Sequence, residues 1–219
     1  MSSTGATTRI LFVGNSFSSR NDLPGLVTGL AASVGRVVET SSIVAGGASL
    51  RRHFNAGAVA RALADSHWDF VVLQEQSTLP VKNPRRYHEN VRALNPEIRA
   101  SGATTVLYLT WARRAAPESQ QQLTDAVMAI GREIGARIAP VGIAWQALVS
   151  SHPDIDLYAA DGSHPSMAGS FLAASVLCLT VFGDQDFRST PPPSTKLAPA
   201  TVDVLSDAAR QACATAGNS

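Results

Sequence analysis

Ser16, Asp161 and His164 are the residues on which any chemistry of this sequence would turn. A serine hydroxyl is a weak nucleophile until a neighbouring imidazole takes its proton, and a carboxylate on the far ring nitrogen fixes the tautomer and stabilises the imidazolium. Ser16 stands in RILFVGNSFSSRNDLP, where an apolar run ends at Val13 and Gly14 permits a tight turn. Asp161 and His164 stand three residues apart in AADGSHPSMAGSFLAA, close enough for both side chains to face one site. Taken singly, each has a plain structural reading: a serine that caps a turn, an aspartate that does the same, a histidine that happens to precede Pro165.

Further stretches offer groups that such a nucleophile would need. Backbone N–H groups near the helix start after Ser16 suit negative charge, an oxyanion or a phosphate alike. In SSIVAGGASL, Gly46 and Gly47 let the backbone approach a ligand, and the Gly47 N–H could serve a developing oxyanion; a simple strand-to-helix turn explains the pair equally well. In FVVLQEQSTLP, Gln74, Glu75 and Gln76 leave an apolar run, and the carboxamide of Gln74 or Gln76 could complete an oxyanion hole. Asn15 beside the serine, Gln74, and Trp111 and Arg113 in TWARR, are candidates for a substrate pocket: Trp111 as a wall, Arg113 for an anionic group.

The elements that must position these residues follow from periodicity. Short β-branched runs alternate with longer helical patterns, which is the signature of an α/β chain with a parallel sheet. Strands are predicted at Arg9–Val13, Val37–Val44, Phe70–Leu73, Thr104–Leu109 and Arg137–Val141, the third and fourth apolar enough to be covered on both faces. Helices are predicted at Leu23–Ser33, Leu50–Asp65, Arg85–Ser101, Glu118–Gly135, Ile143–Ser150, Met167–Phe182 and from Ala198 to about Cys213. Right-handed crossovers gather the loops after each strand along one edge of such a sheet. Signals that are ambiguous alone therefore fall together at one place.

Bulk properties narrow the rest. The 219 residues fit one domain spanning 1–219, with ends at 1–8 and 215–219 expected to be mobile. Pro191–Pro193 stiffens the chain before the last helix, with too few residues beyond it to make a second domain. A formal net charge of +1 provides no field for nucleic acid or an anionic membrane, so a small molecule is the expected partner. The first residues lack the basic and apolar regions of a secretion signal, and the apolar run Phe171–Phe182 is well short of the ~20 residues that span a bilayer. A soluble, cytoplasmic protein is expected. Cys178 and Cys213 read as reduced and structural, and His53, His67, His88 and His152 have no second ligand at metal spacing, so neither metal nor cofactor is expected. A non-catalytic phosphate-holding module is the competing class, but GxxxxGK[ST] and GxGxxG are absent, and such a site has no need of His164.

These residues resemble the SGNH (GDSL-type) hydrolase superfamily over roughly residues 9 to 183. Its serine block reads Gly14-Asn15-Ser16-Phe17-Ser18 here, with Asn15 where aspartate is usual; its glycine block matches Gly47-Ala48-Ser49; its Asp-x-x-His block matches Asp161-Gly162-Ser163-His164, followed by Pro165. The asparagine block departs, with Gln76 of Leu73-Gln74-Glu75-Gln76 at the asparagine position and Gln74 as competitor. The resemblance implies a flavodoxin-like three-layer α/β/α sandwich with a five-stranded parallel sheet and metal-independent hydrolysis of carboxylic esters through an acyl-enzyme. It further implies Ser16 as nucleophile, His164 as base, Asp161 as its orienting partner, and an oxyanion hole of the Ser16 N–H, the Gly47 N–H and Gln76. The small size favours short acyl or acetyl groups. A catalytically silent, glycan-binding relative is the alternative.

Overall fold

A computed structural model describes residues 6–183, 187 and 190–217. Five strands, β1 (Thr8–Gly14), β2 (Val38–Val44), β3 (Phe70–Leu73), β4 (Thr104–Tyr108) and β5 (Arg137–Ala139), form one sheet in the order β2-β1-β3-β4-β5. Every pairing is parallel, with Val13 beside both Ile43 and Leu73, and Leu73 beside Leu107.

The apolar runs of the central strands are buried on both faces because alternate side chains serve different cores. Ile10, Phe12, Val72 and Val106 join one core with α2 (Leu23–Ser33), α8 (Val141–Ser151), α9 (Met167–Phe182) and α10 (Pro199–Gly217). Leu11, Val13, Val71, Leu73 and Leu107 join the other with α3 (Leu50–Asn55), α4 (Ala58–Asp65), α6 (Pro84–Ala100) and α7 (Gln120–Ile134). Three layers result, as expected of a flavodoxin-like sandwich. α9 is apolar all round because the sheet, α2, α8 and α10 enclose it. Among the described residues no helix is long and apolar enough to cross a membrane.

Several boundaries differ from the sequence pattern. The helix expected over Leu50–Asp65 is two, α3 and α4, because Gly57 takes a left-handed φ of 63° between them. Two short helices, α1 (Ser16–Ser19) and α5 (Leu79–Lys82), occupy loops after β1 and β3. β4 and β5 end before the positions expected, since Leu109 and Val141 lie beyond the last paired residues. The proline run lies against α2: a side chain at Gly29 would meet Pro192, and the Thr190 N–H donates to Ser33 Oγ. Of the ends expected to be mobile, Thr8 is in β1 and α10 runs to Gly217, while 1–5 and 218–219 fall outside the described residues.

The chain goes from β1 to β2 on one side and then to β3 on the other, so the strand order reverses between β1 and β3. In open parallel sheets the crevice at the carboxyl ends of two such strands is where ligands bind. Gly14–Ser16 and Gln74–Gln76 stand there.

α8 is set close against the exit of β4, with the Gly142 N–H donating to the Leu109 carbonyl at 2.8 Å. A Cβ at Gly142 would run into the Thr110 carbonyl oxygen and the Gln120 amide. Gly142→Ala is therefore expected to destabilise the fold by about 1–3 kcal/mol, the usual cost of overpacking, read as a lower urea midpoint.

Candidate active site

Ser16 is presented by a turn fastened from three directions. Asn15 caps α1, its Oδ1 accepting from the Phe17 N–H at 3.1 Å, while its Nδ2 donates to the Ala48 carbonyl at 2.9 Å. The Asn15 N–H and the Ser18 hydroxyl both donate to Gln74 Oε1, at 2.9 and 3.1 Å. The His53 Nε2–H donates to the Gly14 carbonyl at 2.7 Å. Gly14 has to be glycine in this packing: a Cβ would sit 2.6 Å from Gln74 Oε1 and 2.7 Å from Ser18 Oγ.

The late loop meets this turn. His164 Nε2 lies 2.8 Å from Ser16 Oγ, and His164 Nδ1 lies 2.5 Å from Asp161 Oδ2. Asp161 Oδ1 accepts from the Ser163 and His164 N–H groups, both at 2.9 Å. The hydrogen bond from His164, followed by those two backbone donors, holds the Asp161 carboxyl well below the usual carboxylate range. Gly162, at φ 65°, makes the reversal that lets Asp161 reach back to the imidazole.

The loop is pinned on both sides. Trp111 Nε1–H donates to the Ser163 carbonyl at 3.0 Å and the Arg114 N–H to the Gly162 carbonyl at 2.9 Å. Asn21, held at φ 53°, donates through its Nδ2 to the carbonyls of Pro165 and Ser166 and to Ser170 Oγ, tying the Ser16 side of the site to the His164 side. Phe17 packs between, its ring 5.1 Å from Trp111 and 5.4 Å from the imidazole.

The donors at these strand exits with no hydrogen-bond partner among the described residues include the Ser16 N–H at the first position of α1, the Gly47 N–H, and Gln76 Nε2. Gly47 sits at φ 63° in a turn closed by the Ala48 N–H on the Ala45 carbonyl at 3.0 Å, the pattern of a type II turn. Gln76 Oε1 is occupied by the Thr78 N–H and hydroxyl at 3.0 and 3.1 Å, which leaves the amide nitrogen as the free end. The carboxamide of Gln74, by contrast, is fully buried: its Oε1 holds the Ser16 turn and one Nε2–H donates to the Glu75 carbonyl.

Glu75 is buried between these loops. Its Oε1 accepts from the Leu50 N–H at 3.1 Å and the Gln76 N–H at 2.7 Å, and its Oε2 from Asn90 Nδ2 at 2.8 Å. It thereby joins the start of α3, just after the Gly47 turn, to the loop of Gln76 and to α6. Burial raises its pKa, and those donors and Arg51 hold the rise in check.

Asn15, Gln74 and Trp111, expected to face a pocket, are 2, 0 and 1% exposed. They are fasteners of the site, because the polar side chains leaving the strands turn inward to satisfy buried backbone groups. Arg113 is exposed and lines a pocket. His53, Asn21 and Phe17 are contributors that sequence reasoning missed; Phe17 and Asn21 lie within the serine stretch, whereas nothing local marks His53. Among the described residues no group of three His, Cys, Asp or Glu side chains is placed to hold a metal ion.

No family model matches the sequence, nor does any curated protein. Among solved structures the chain is similar to a candidate SGNH hydrolase from Slackia heliotrinireducens, at 34% identity and a TM-score of 0.69 over 80% of this chain and 99% of that one. It is also similar in fold to a DUF4886 family protein from Bacteroides uniformis (20% identity, TM-score 0.73, 94% and 95% covered). A catalytic mutant of an acetylxylan esterase from Geobacillus stearothermophilus shares that fold at 15% identity (TM-score 0.65, 84% and 97% covered).

Removing the Glu75 carboxylate would strand the N–H groups of Leu50 and Gln76 and the amide of Asn90, at about 1–3 kcal/mol for each buried donor left unpaired. Glu75→Ala is accordingly expected to lower the urea midpoint, and Glu75→Gln, which keeps an acceptor for the two backbone donors, to recover part of the loss.

Proposed function

The chain belongs to the SGNH hydrolases, and from that premise we propose that it is a metal-independent serine esterase that removes short acyl or acetyl groups through an acyl-Ser16 intermediate. The observation that carries the reading is the unbroken relay from Ser16 Oγ to His164 Nε2 at 2.8 Å and from His164 Nδ1 to Asp161 at 2.5 Å. A phosphate-holding turn or a silent glycan-binding site gives no reason for that alignment.

In the proposed reaction Ser16 Oγ attacks the ester carbonyl carbon while its proton passes to His164 Nε2. Asp161, ionised, holds the Nδ1–H and stabilises the imidazolium. The carbonyl oxygen becomes an oxyanion facing the Ser16 N–H, the Gly47 N–H and Gln76 Nε2, each without a partner among the described residues. On collapse the C–O bond to the alcohol breaks and His164 returns the proton to the departing oxygen. Water then repeats the sequence on the acyl-serine, with His164 as base, and releases the acid. Gln76 rather than Gln74 supplies the amide, since the Gln74 carboxamide is fully buried and its oxygen already holds the Ser16 turn.

Short acyl groups are supported by the small pocket of about 150 Å³ lined by Ser77 and Thr78, which follow Gln76, and by Ala112 and Arg113, which follow Trp111, whereas sites for drug-sized ligands run to ~300–1,000 Å³.

Ser16→Ala is expected to abolish both hydrolysis of 4-nitrophenyl acetate and labelling by a fluorophosphonate probe; labelling that survives in this variant would put the nucleophile elsewhere. Gln76→Ala should lower kcat by ~10²–10³, the usual cost of one oxyanion donor, and an unchanged rate would remove Gln76 from the hole. The hydrogen bonds that keep Asp161 ionised also make a pH prediction. A carboxyl with a depressed pKa stays charged as the medium is acidified, so kcat/KM should fall on the acid side with the slope of a single proton uptake, and a limiting slope of two would contradict that role.

A further inference from the structure

The pocket of about 150 Å³ lies between the two segments that also border the proposed site. One wall is Ser77 and Thr78, the residues that follow Gln76. The other is Ala112 and Arg113, which lie between Trp111, bonded to the Ser163 carbonyl, and Arg114, bonded to the Gly162 carbonyl. Val81 and the buried Leu123 give it apolar sides. Its charged lining is of one sign: Lys82 and Arg113, both exposed, with no carboxylate among the lining residues. Neither cation makes an ion pair with any described residue. Arg113 has only Ser77 Oγ near it, 3.4 Å from Nη2, a long contact that leaves most of its donors open.

A neutral acyl chain would use the apolar walls and leave both cations idle. A chain ending in a carboxylate uses both, since a guanidinium fork matches a carboxylate in two parallel hydrogen bonds. The direction follows from the relay. The leaving oxygen must sit beside His164 Nε2, and the His164 and Asp161 side chains, 26 and 49% exposed, stand toward solvent. The acyl part then extends the other way, past Gln76 to Ser77 and Thr78.

We propose that this pocket receives the acyl part of the substrate and that Arg113 and Lys82 select an acyl chain bearing a carboxylate, so that the enzyme acts on half-esters of short dicarboxylic acids. The inference rests on Ser16 being the esterase nucleophile.

The test compares mono-4-nitrophenyl glutarate with 4-nitrophenyl pentanoate, esters of equal chain length, after subtraction of spontaneous hydrolysis. The wild-type protein should favour the charged ester by about tenfold or more in kcat/KM at low ionic strength, and added salt should reduce the preference. Arg113→Gln and Lys82→Gln should each reduce the charged-to-neutral ratio several-fold, chiefly through KM. Arg113→Glu should reverse it in favour of 4-nitrophenyl 4-(trimethylammonio)butanoate over the glutarate. No preference in the wild-type protein, or a ratio unmoved by both neutral substitutions, overturns the proposal. Calorimetric titration of the Ser16→Ala protein with glutarate and with pentanoate reads the pocket without turnover. Glutarate binding at least tenfold tighter supports the pocket even if no ester is hydrolysed and the esterase reading fails; equal or absent binding overturns it even if 4-nitrophenyl acetate is turned over.

Discussion

The carboxamide of Gln74 is the joint on which the site depends. β1 and β3 are neighbours in space, yet the chain between them goes out to β2 and back through two helices, so nothing covalent sets the relation of their exits. The Gln74 N–H on the Val13 carbonyl continues the ladder for one more residue. Its side-chain oxygen then takes the next donor along β1, the Asn15 N–H, together with the Ser18 hydroxyl. A buried backbone N–H left alone there would cost about 1–3 kcal/mol, so the amide both satisfies the turn and fixes where Ser16 emerges. The same crowding makes Gly14 a glycine.

The other half of the site is held by stacking. Phe17, Trp111 and Trp145 form a column, with Trp111 and Trp145 centroids 3.8 Å apart and their planes nearly parallel, closed by Tyr158 edge-on at 4.9 Å. Tyr158 OH donates to the Ala112 carbonyl, and its strand-like bridge to Pro165 ties the column to the His164 loop. Packing of this kind is rigid because Trp111 and Trp145 are each in contact with two other rings and almost fully buried. Part of its cost is visible: Trp145 Nε1 and Tyr108 OH are buried without a hydrogen-bond partner among the described residues. The Ser16–His164 distance is thus set by core packing as much as by its own hydrogen bond.

The fold class was legible because the two hydrophobic periods, near 2 and 3.6, survive in a chain whose central strands are covered on both faces. Strand order was not, since no local signal says on which side of β1 the third strand adds. The break at Gly57 was hidden by the pattern that follows it, AVARALAD, which keeps helical spacing through α4. Ser16, Asp161 and His164 announced themselves by residue type, and the structure brings them within hydrogen-bonding reach of one another. Asn15, Gln74 and Trp111 did so misleadingly. A polar or aromatic residue at a strand exit reads as facing a ligand, but here each faces a buried backbone group on a segment remote in sequence, and only the tertiary structure supplies that partner. His53 and Asn21 escaped notice for the same reason: their acceptors, the Gly14 carbonyl and the Pro165–Ser166 turn, are far along the chain.

Glu75 and Asp161 show how one residue class divides its work by environment. Asp161 is near solvent, and its depressed pKa comes from donors aimed at it, so it holds a fixed negative charge where the imidazole needs one. Glu75 is buried, its pKa is raised by that burial, and its oxygens are occupied by Leu50, Gln76 and Asn90. A carboxyl so engaged has no geometry left for a substrate proton, even though its perturbed pKa and its position beside the site would nominate it for acid–base chemistry. What it does instead is couple the Gly47 turn to the Gln76 loop, so that two of the three proposed oxyanion donors share one anchor. Preorganised donors stabilise a developing charge only if they need not move when it forms, and a buried carboxyl common to both loops is a direct way to keep them still.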